Sequence, residues 1–108
     1  MADVKKLVED RIVKRLNKSP EVADELGCLV GVNITGDGGG VWIIDCTKHP
    51  VTSKKDDERS AAVSIEMSCE DFNALNEGEL NPVSAFMFGK IKVDGDIQKA
   101  VQLGRLIK

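Results

Sequence analysis

The chain is poor in the residues from which most chemical sites are built. It has no tyrosine, one tryptophan, three phenylalanines and a single histidine among 108 residues. That histidine, His49, precedes Pro50 in a polar stretch and has no cysteine or carboxylate array beside it. A zinc centre needs several such ligands at close spacing, so no metal is expected. Nothing in the spacing sets His49 beside a Ser or Cys as a catalytic base. The cysteines Cys28, Cys46 and Cys69 are odd in number and form no Cys-x-x-Cys pair, which argues against a disulfide framework; they read as reduced, buried or half-buried thiols. No apolar run approaches the roughly 20 residues of a membrane span. The opening "MADVKKLVEDR" is charged throughout and lacks the apolar region of a secretory leader, so an intracellular protein is expected. Positive charge is not in excess either. The formal net charge is −3, Lys and Arg are interspersed with acids, and nucleic acid is excluded as a partner.

What is present is a globular composition, 42% hydrophobic and 31% charged, at a length that suits one domain over 1–108. A chain of this size has little apolar surface to spare. At about 100° per residue, residues 3–17 read as a helix with Val4, Val8, Ile12 and Leu16 in one stripe and Leu7 at its edge. Asp3, Lys6, Glu9, Asp10, Lys14 and Asn17 lie opposite, and only Val13 falls on the polar side. Arg15 breaks the division. The same rotation sets it in the middle of the apolar stripe, between Val4 and Val8. An unpaired guanidinium is costly to bury. Arg15 must therefore snorkel out at the helix end or meet an acidic partner, either a protein carboxylate such as Asp24 or Glu25 or the head of a ligand.

Ser19-Pro20 reads as the start of a short helix, with Ser19 able to cap it and Gly27 stopping it. Val30, Val32 and Ile34 then alternate with Gly31, Asn33 and Thr35. "VWIIDCT" follows as a second strand with Trp42, Ile44 and Cys46 on one face. The connection "TGDGGG" lies between strands rather than opening a helix, and it lacks a Gly-Lys-Ser/Thr ending; it is a hairpin turn, not a phosphate loop. Asp45 marks the opposite face of the second strand as wet. The run Asp56-Asp57-Glu58 lacks the alternating acids of a calcium loop. Val51–Ser53 is long enough for a very short edge strand. Val63, Ile65 and Met67 alternate with Ser64 and Glu66. Ser68 and Asp71 resemble a capping box ahead of a helix that buries Phe72 and Leu75. Asn81-Pro82 opens another helix that ends near Gly89, a strand covers 90–94, and Asp96 starts a final helix in which Ile97, Ala100, Val101, Gly104 and Leu103 or Ile107 could face inward. The order is α+β, with helices covering one face of a mixed sheet.

The apolar faces are large enough to form an ordinary core or to enclose a cavity, and the residue types alone leave both open. The block from Met67 to Ile107 closely resembles the sterol carrier protein type 2 family, the non-specific lipid-transfer domains. The resemblance rests on a strand ending in Met-Ser, a helix with Asp-Phe and Leu, a Gly-x-Leu-Asn-Pro turn, the helix end Ala-Phe-Met-x-Gly-Lys, an alternating strand, Gly-Asp and a terminal amphipathic helix. "ITGDGGGVWIIDCT" is similar to the family's first hairpin, and "KRLNKSP" to the first helix of its short stand-alone members. The resemblance implies a five-stranded mixed β-sheet with helices over one face and an apolar lipid tunnel between them. It implies no catalysis and no cofactor. The implied cargo is long-chain fatty acid, acyl-CoA or sterol, moved between membranes by a monomer or weak homodimer in transient membrane contact.

By the same resemblance, the tunnel lining falls on Ile12 and Leu16 of the first helix, on Trp42, Ile44 and Cys46, on Ile65 and Met67, on Phe72 and Leu75, on Ile91, and on Leu103, Leu106 and Ile107 of the last helix. Arg15 matches an arginine that meets the lipid carboxylate in short members. Residues Val22–Leu26 offer no second basic contact. Peroxisomal members end in a Ser-Lys-Leu-like tripeptide, whereas this chain ends Leu106-Ile107-Lys108, so a cytoplasmic location is expected. Two other functions compete. An interaction module would keep the fold and fill the cavity. A thiol-dependent acyltransferase would need a base beside Cys28, Cys46 or Cys69.

Overall fold

Four apolar residues spaced by four open the chain, and an α-helix does not keep such residues in line. Each step of four drifts by about 40° at 100° per residue. The computed structural model, which describes residues 3–56 and 59–107 and of 105–107 the backbone alone, shows how the drift is avoided. The N-terminal helix starts as α1 (Val4–Lys6), widens to a π-helix over Leu7–Ile12 and returns to α2 (Val13–Lys18). Bonds from i to i+5 turn the chain less per residue. Val4, Val8, Ile12 and Leu16 therefore all reach the core, the last three with no exposure at all. The wider turn also corrects the position of Arg15. It is not in the middle of the stripe but on its shoulder, in line with Leu7 and Arg11, and it is half-buried. The opposite shoulder is polar and is used to fasten the helix. Trp42 Nε1 donates to Glu9 Oε2 at 3.1 Å, and the Asn17 side-chain amide donates to Val51 O at 3.1 Å and accepts from Val51 N at 2.7 Å.

α3 (Pro20–Leu26) follows. Its Ser19 cap works through the backbone rather than the hydroxyl: Ser19 O accepts from Val22 N and Ala23 N, and the side chain makes no capping bond. β1 (Leu29–Thr35), β2 (Gly40–Asp45), β3 (Thr52–Lys55), β4 (Val63–Ser68) and β5 (Lys92–Gly95) form one five-stranded sheet in the order β3-β2-β1-β4-β5. β1 and β4 are parallel and every other pair is antiparallel, so the sheet is mixed. In the β1–β2 turn the chain comes so close to itself that a Cβ on Gly39 would stand 2.1 Å from Ile34 O, which only glycine permits.

Register builds the inner face in rows. Trp42, Val32, Ile65 and Val93 are successive cross-strand neighbours, as are Ile44, Val30 and Val63. The N-terminal helix, α4 (Cys69–Asn76), α5 (Pro82–Met87) and α6 (Ile97–Ile107) cover this face. Ser68 caps α4 by accepting from Asp71 N at 3.1 Å, and Phe72 and Leu75 are fully buried beneath it.

The outer face is not wholly wet. Asp45 and Ile43 are 5% and 4% exposed. The return from β3 to β4 crosses that face: Arg59 Nη1 lies 3.5 Å from Asp45 Oδ2, Ala62 N donates to Leu29 O, and Ala61 lies so close to Gly31 that a Cβ on Gly31 would stand 3.3 Å from the Ala61 Cβ. Asp45 tolerates burial because it is satisfied. Its carboxylate accepts from the Thr47 hydroxyl and from Thr47 N, and these bonds hold its pKa below the ordinary carboxylate value against the opposing effect of desolvation.

Candidate functional site

α5 is six residues long and held at both ends. Asn81 Oδ1 accepts from Val83 N at 2.9 Å and Ser84 N at 3.2 Å, and Pro82 takes the first helical position. At the other end Gly89 N donates to Phe86 O and Lys90 N to Ala85 O, with Gly89 at φ +76°. This is a Schellman closure, in which a left-handed glycine caps the orphan carbonyls. It reverses the chain from α5 into β5 and sorts the cluster Phe86-Met87-Phe88. Phe86 turns inward; Met87 and Phe88 turn out.

Phe86 and Pro82 form one wall of an apolar cavity. Ile65 and Met67 of β4, Val93 of β5 and the preceding Ile91 form the floor. Ala100, Val101 and Gly104 of α6 form the other wall. Among the described residues no charged or hydrogen-bonding side chain lines it. Its free volume is about 20 Å³, room for about one water molecule. Gly104 sets this tightness: a Cβ there would stand 3.1 Å from Pro82 Cβ, so the bare backbone is what allows α6 to close on α5. α6 is tied at its other side to α3, with Lys99 Nζ donating to Leu26 O and Gln102 Nε2 to Glu25 Oε2, both at 2.8 Å.

Of the lining read from the sequence, Ile65, Met67 and Ile91 wall this cavity. Ile12, Leu16, Trp42, Ile44, Cys46, Phe72, Leu75 and Leu103 belong to the continuous core around it and are each no more than 3% exposed, but they do not border the cavity. The side chains of Leu106 and Ile107 lie outside the described residues. Val93, the inner-face partner of Ile91 on the last strand, borders it too, and Pro82, Phe86, Ala100, Val101 and Gly104 do so without having been singled out as site residues. Their signal was in the pattern: Pro82 and Phe86 are one turn apart, and Ala100, Val101 and Gly104 share one line of α6.

Arg15 does not border the cavity either. Burial, and then the charge of Arg11, lower its pKa from the ordinary value. It remains a cation all the same. Asp24 and Glu25, its sequence-proposed partners, contact His49 Nε2 at 2.7 Å and accept from Gln102, respectively. Cys46 N donates to Cys28 O at 3.1 Å, and the Cys46 thiol is pushed up to about 11 by desolvation, then by Cys28 and Asp45. A thiol so raised is a poor nucleophile at neutral pH. Among the described residues no group of three or more His, Cys, Asp or Glu could hold a metal ion, and no helix is long and apolar enough to cross a membrane. The arrangement can hold an apolar group.

Residues 9–108 match the family model described as the SCP-2 sterol transfer family. A non-specific lipid-transfer protein-like 1 from Caenorhabditis elegans is 29% identical over 109 residues, covering 99% of this chain and 92% of that protein. A hydroxysteroid dehydrogenase-like protein 2 from Rattus norvegicus is 34% identical over 98 residues, 90% of this chain. The chain spans only 18% of that longer protein's length. In three dimensions the apo form of sterol carrier protein 2 from Yarrowia lipolytica aligns over 97% of this chain and 87% of its own, with a TM-score of 0.75 at 21% identity.

Proposed function

The chain belongs to the SCP-2 sterol transfer family, and on that premise we propose that it carries a long-chain fatty acid, acyl-CoA or sterol in the cavity beneath α5 and α6 and moves it between membranes. Lipid binding and transfer is the family's role. The dehydrogenase in the name of the longer relatives belongs to those proteins.

The observation that carries the reading is a cavity whose described lining is wholly apolar, at the junction of the sheet edge and two short helices. A pocket for a lipid chain needs several hundred Å³. The cavity holds about 20 Å³, so cargo enters by displacing α5 and α6 from the sheet. The driving force is sufficient in gross terms. Sixteen carbons at roughly 0.8 kcal/mol per buried CH₂ give about 13 kcal/mol, from which opening and ordering are subtracted. Native mass spectrometry of freshly purified protein should show co-purifying lipid. A fluorescent fatty acid should bind saturably at micromolar concentration, and absence of saturable binding below about 100 μM refutes the carrier.

A further inference from the structure

The cluster Phe86-Met87-Phe88 divides at the cavity wall, and its outer half is unexplained by the core. Met87 and Phe88 are 77% and 80% exposed, and Val83, one turn before Met87 on the same face of α5, is 46% exposed. Their exposure is not slackness. Phe88 occupies the C-cap, where Phe88 N donates to Ser84 O at 2.9 Å, and the Schellman bonds of Gly89 and Lys90 brace the turn on either side. A rigid turn thus displays two large apolar side chains in water. Lys90 and Lys92 follow in the chain, both exposed and neither in an ion pair among the described residues; they share a surface groove with Glu66 and Asp71, and Lys92 stands opposite Glu66 across the β4–β5 ladder. In a chain of net charge −3, this apolar tip is followed by two exposed lysines.

We propose that the tip of α5 (Val83, Met87 and Phe88, with Lys90 and Lys92) docks on an anionic lipid bilayer and brings the cavity wall formed by Phe86 to the membrane surface. The proposal rests on the carrier reading and names the surface through which such a carrier would meet its membrane. The size of this surface points to a bilayer rather than to a second copy of the chain. Three side chains fall far short of the roughly 1,000 Å² that a stable protein interface buries. A bilayer needs no complementary shape: Phe and Met enter the headgroup region, and anionic headgroups attract each lysine. Docking there sets Phe86, the neighbour of Met87 in sequence and a wall of the cavity, at the level of the lipid chains.

The test is flotation with phosphatidylcholine vesicles, with and without about one third phosphatidylserine, alongside titration of a fluorescent fatty acid in vesicle-free buffer. Wild type is expected to float with the anionic vesicles. Met87→Ser/Phe88→Ser should weaken partitioning at least tenfold and leave fatty-acid affinity within a factor of two. Lys90→Ala and Lys92→Ala should each cost about fivefold on anionic vesicles and nothing on neutral ones. Equal flotation of wild type and the Met87/Phe88 variant overturns the proposal, as does absence of flotation by wild type. A concentration-dependent dimer in sedimentation that the same variant abolishes, without any change in flotation, assigns the patch to self-association and also overturns it. If flotation depends on the tip while wild type binds no fatty acid, the docking surface stands and the carrier reading falls.

Discussion

Replacing Gly104 by leucine tests the cavity directly. The first added carbon would stand 3.1 Å from Pro82 Cβ, closer than ordinary contact, and three more would project into a space of about 20 Å³. That space takes roughly one of them. The rest must push α6 away from α5. Overpacking of this kind costs about 1–3 kcal/mol. Removing a glycine from a helix interior returns about 0.8–1 kcal/mol. The net loss is therefore about 0–2 kcal/mol, a fall in Tm of no more than about 10 °C for a chain of this length. Binding should suffer more than folding. A leucine side chain takes the room of about four cargo CH₂ groups, worth about 3 kcal/mol, which is roughly a hundredfold in Kd. Gly104→Ala adds only the first carbon and should keep both stability and affinity near wild type. Titration with a fluorescent fatty acid and thermal melts of the three proteins check this. A leucine variant that folds and binds fatty acid with unchanged affinity would show that cargo does not lie between α5 and α6.

Three further substitutions probe the rest of the molecule. Ile44→Asp places a carboxylate at a site with no exposure and should destabilise by more than about 4 kcal/mol. Thr35→Asp, exposed on the outer face, should cost less than about 1 kcal/mol; similar melting of the two would invert the face assignment. Arg15→Gln should weaken palmitate binding by about 1.5–3 kcal/mol and leave the uncharged alcohol untouched if the guanidinium meets the carboxylate; calorimetry showing equal losses for both removes Arg15 from the site. The Cys46 thiol, raised to about 11, lies above its unfolded value of about 8.5. Its burial as the neutral form is fully stabilising below pH 8.5 and is lost as pH rises through 11. Melting temperatures should therefore decline over that window less steeply in Cys46→Ala than in wild type, and a parallel decline would show that Cys46 does not titrate there.

Local pattern carried much of the fold. Alternation in Val30–Ile34 and Val63–Met67 sets strand faces, and Ser68, Asn81 and Gly27 mark helix ends through bonds that span three or four residues. These are short-range effects and are legible residue by residue. The failures are of another kind. Arg15 was misplaced because a fixed rotation of 100° was applied across Leu7–Ile12, where the bonds run to i+5; the strict spacing of four at Val4, Val8, Ile12 and Leu16 was the available sign. The charge of Asp45 marks its face as wet, whereas its cover, Arg59 in the return segment, arrives from 14 residues away. For the site, inner-face residues could be identified, but not which stretch of that face stays unfilled. That depends on how closely α5 and α6 approach, a distance set by Gly104 against Pro82 and by ties from Lys99 and Gln102 to α3.

The strand order has a consequence for the hierarchy of opening. β5 is an edge strand with one ladder, four residue pairs long, to β4, whereas β1 is bonded on both sides. Releasing β5, and with it the turn that carries α5, leaves β3-β2-β1-β4 intact. The cavity is thus built at the margin of the cooperative unit, where local unfolding has the lowest free energy. Amide protons of β5 and α5 should exchange with solvent well before those of β1, and at a rate that falls when lipid is added.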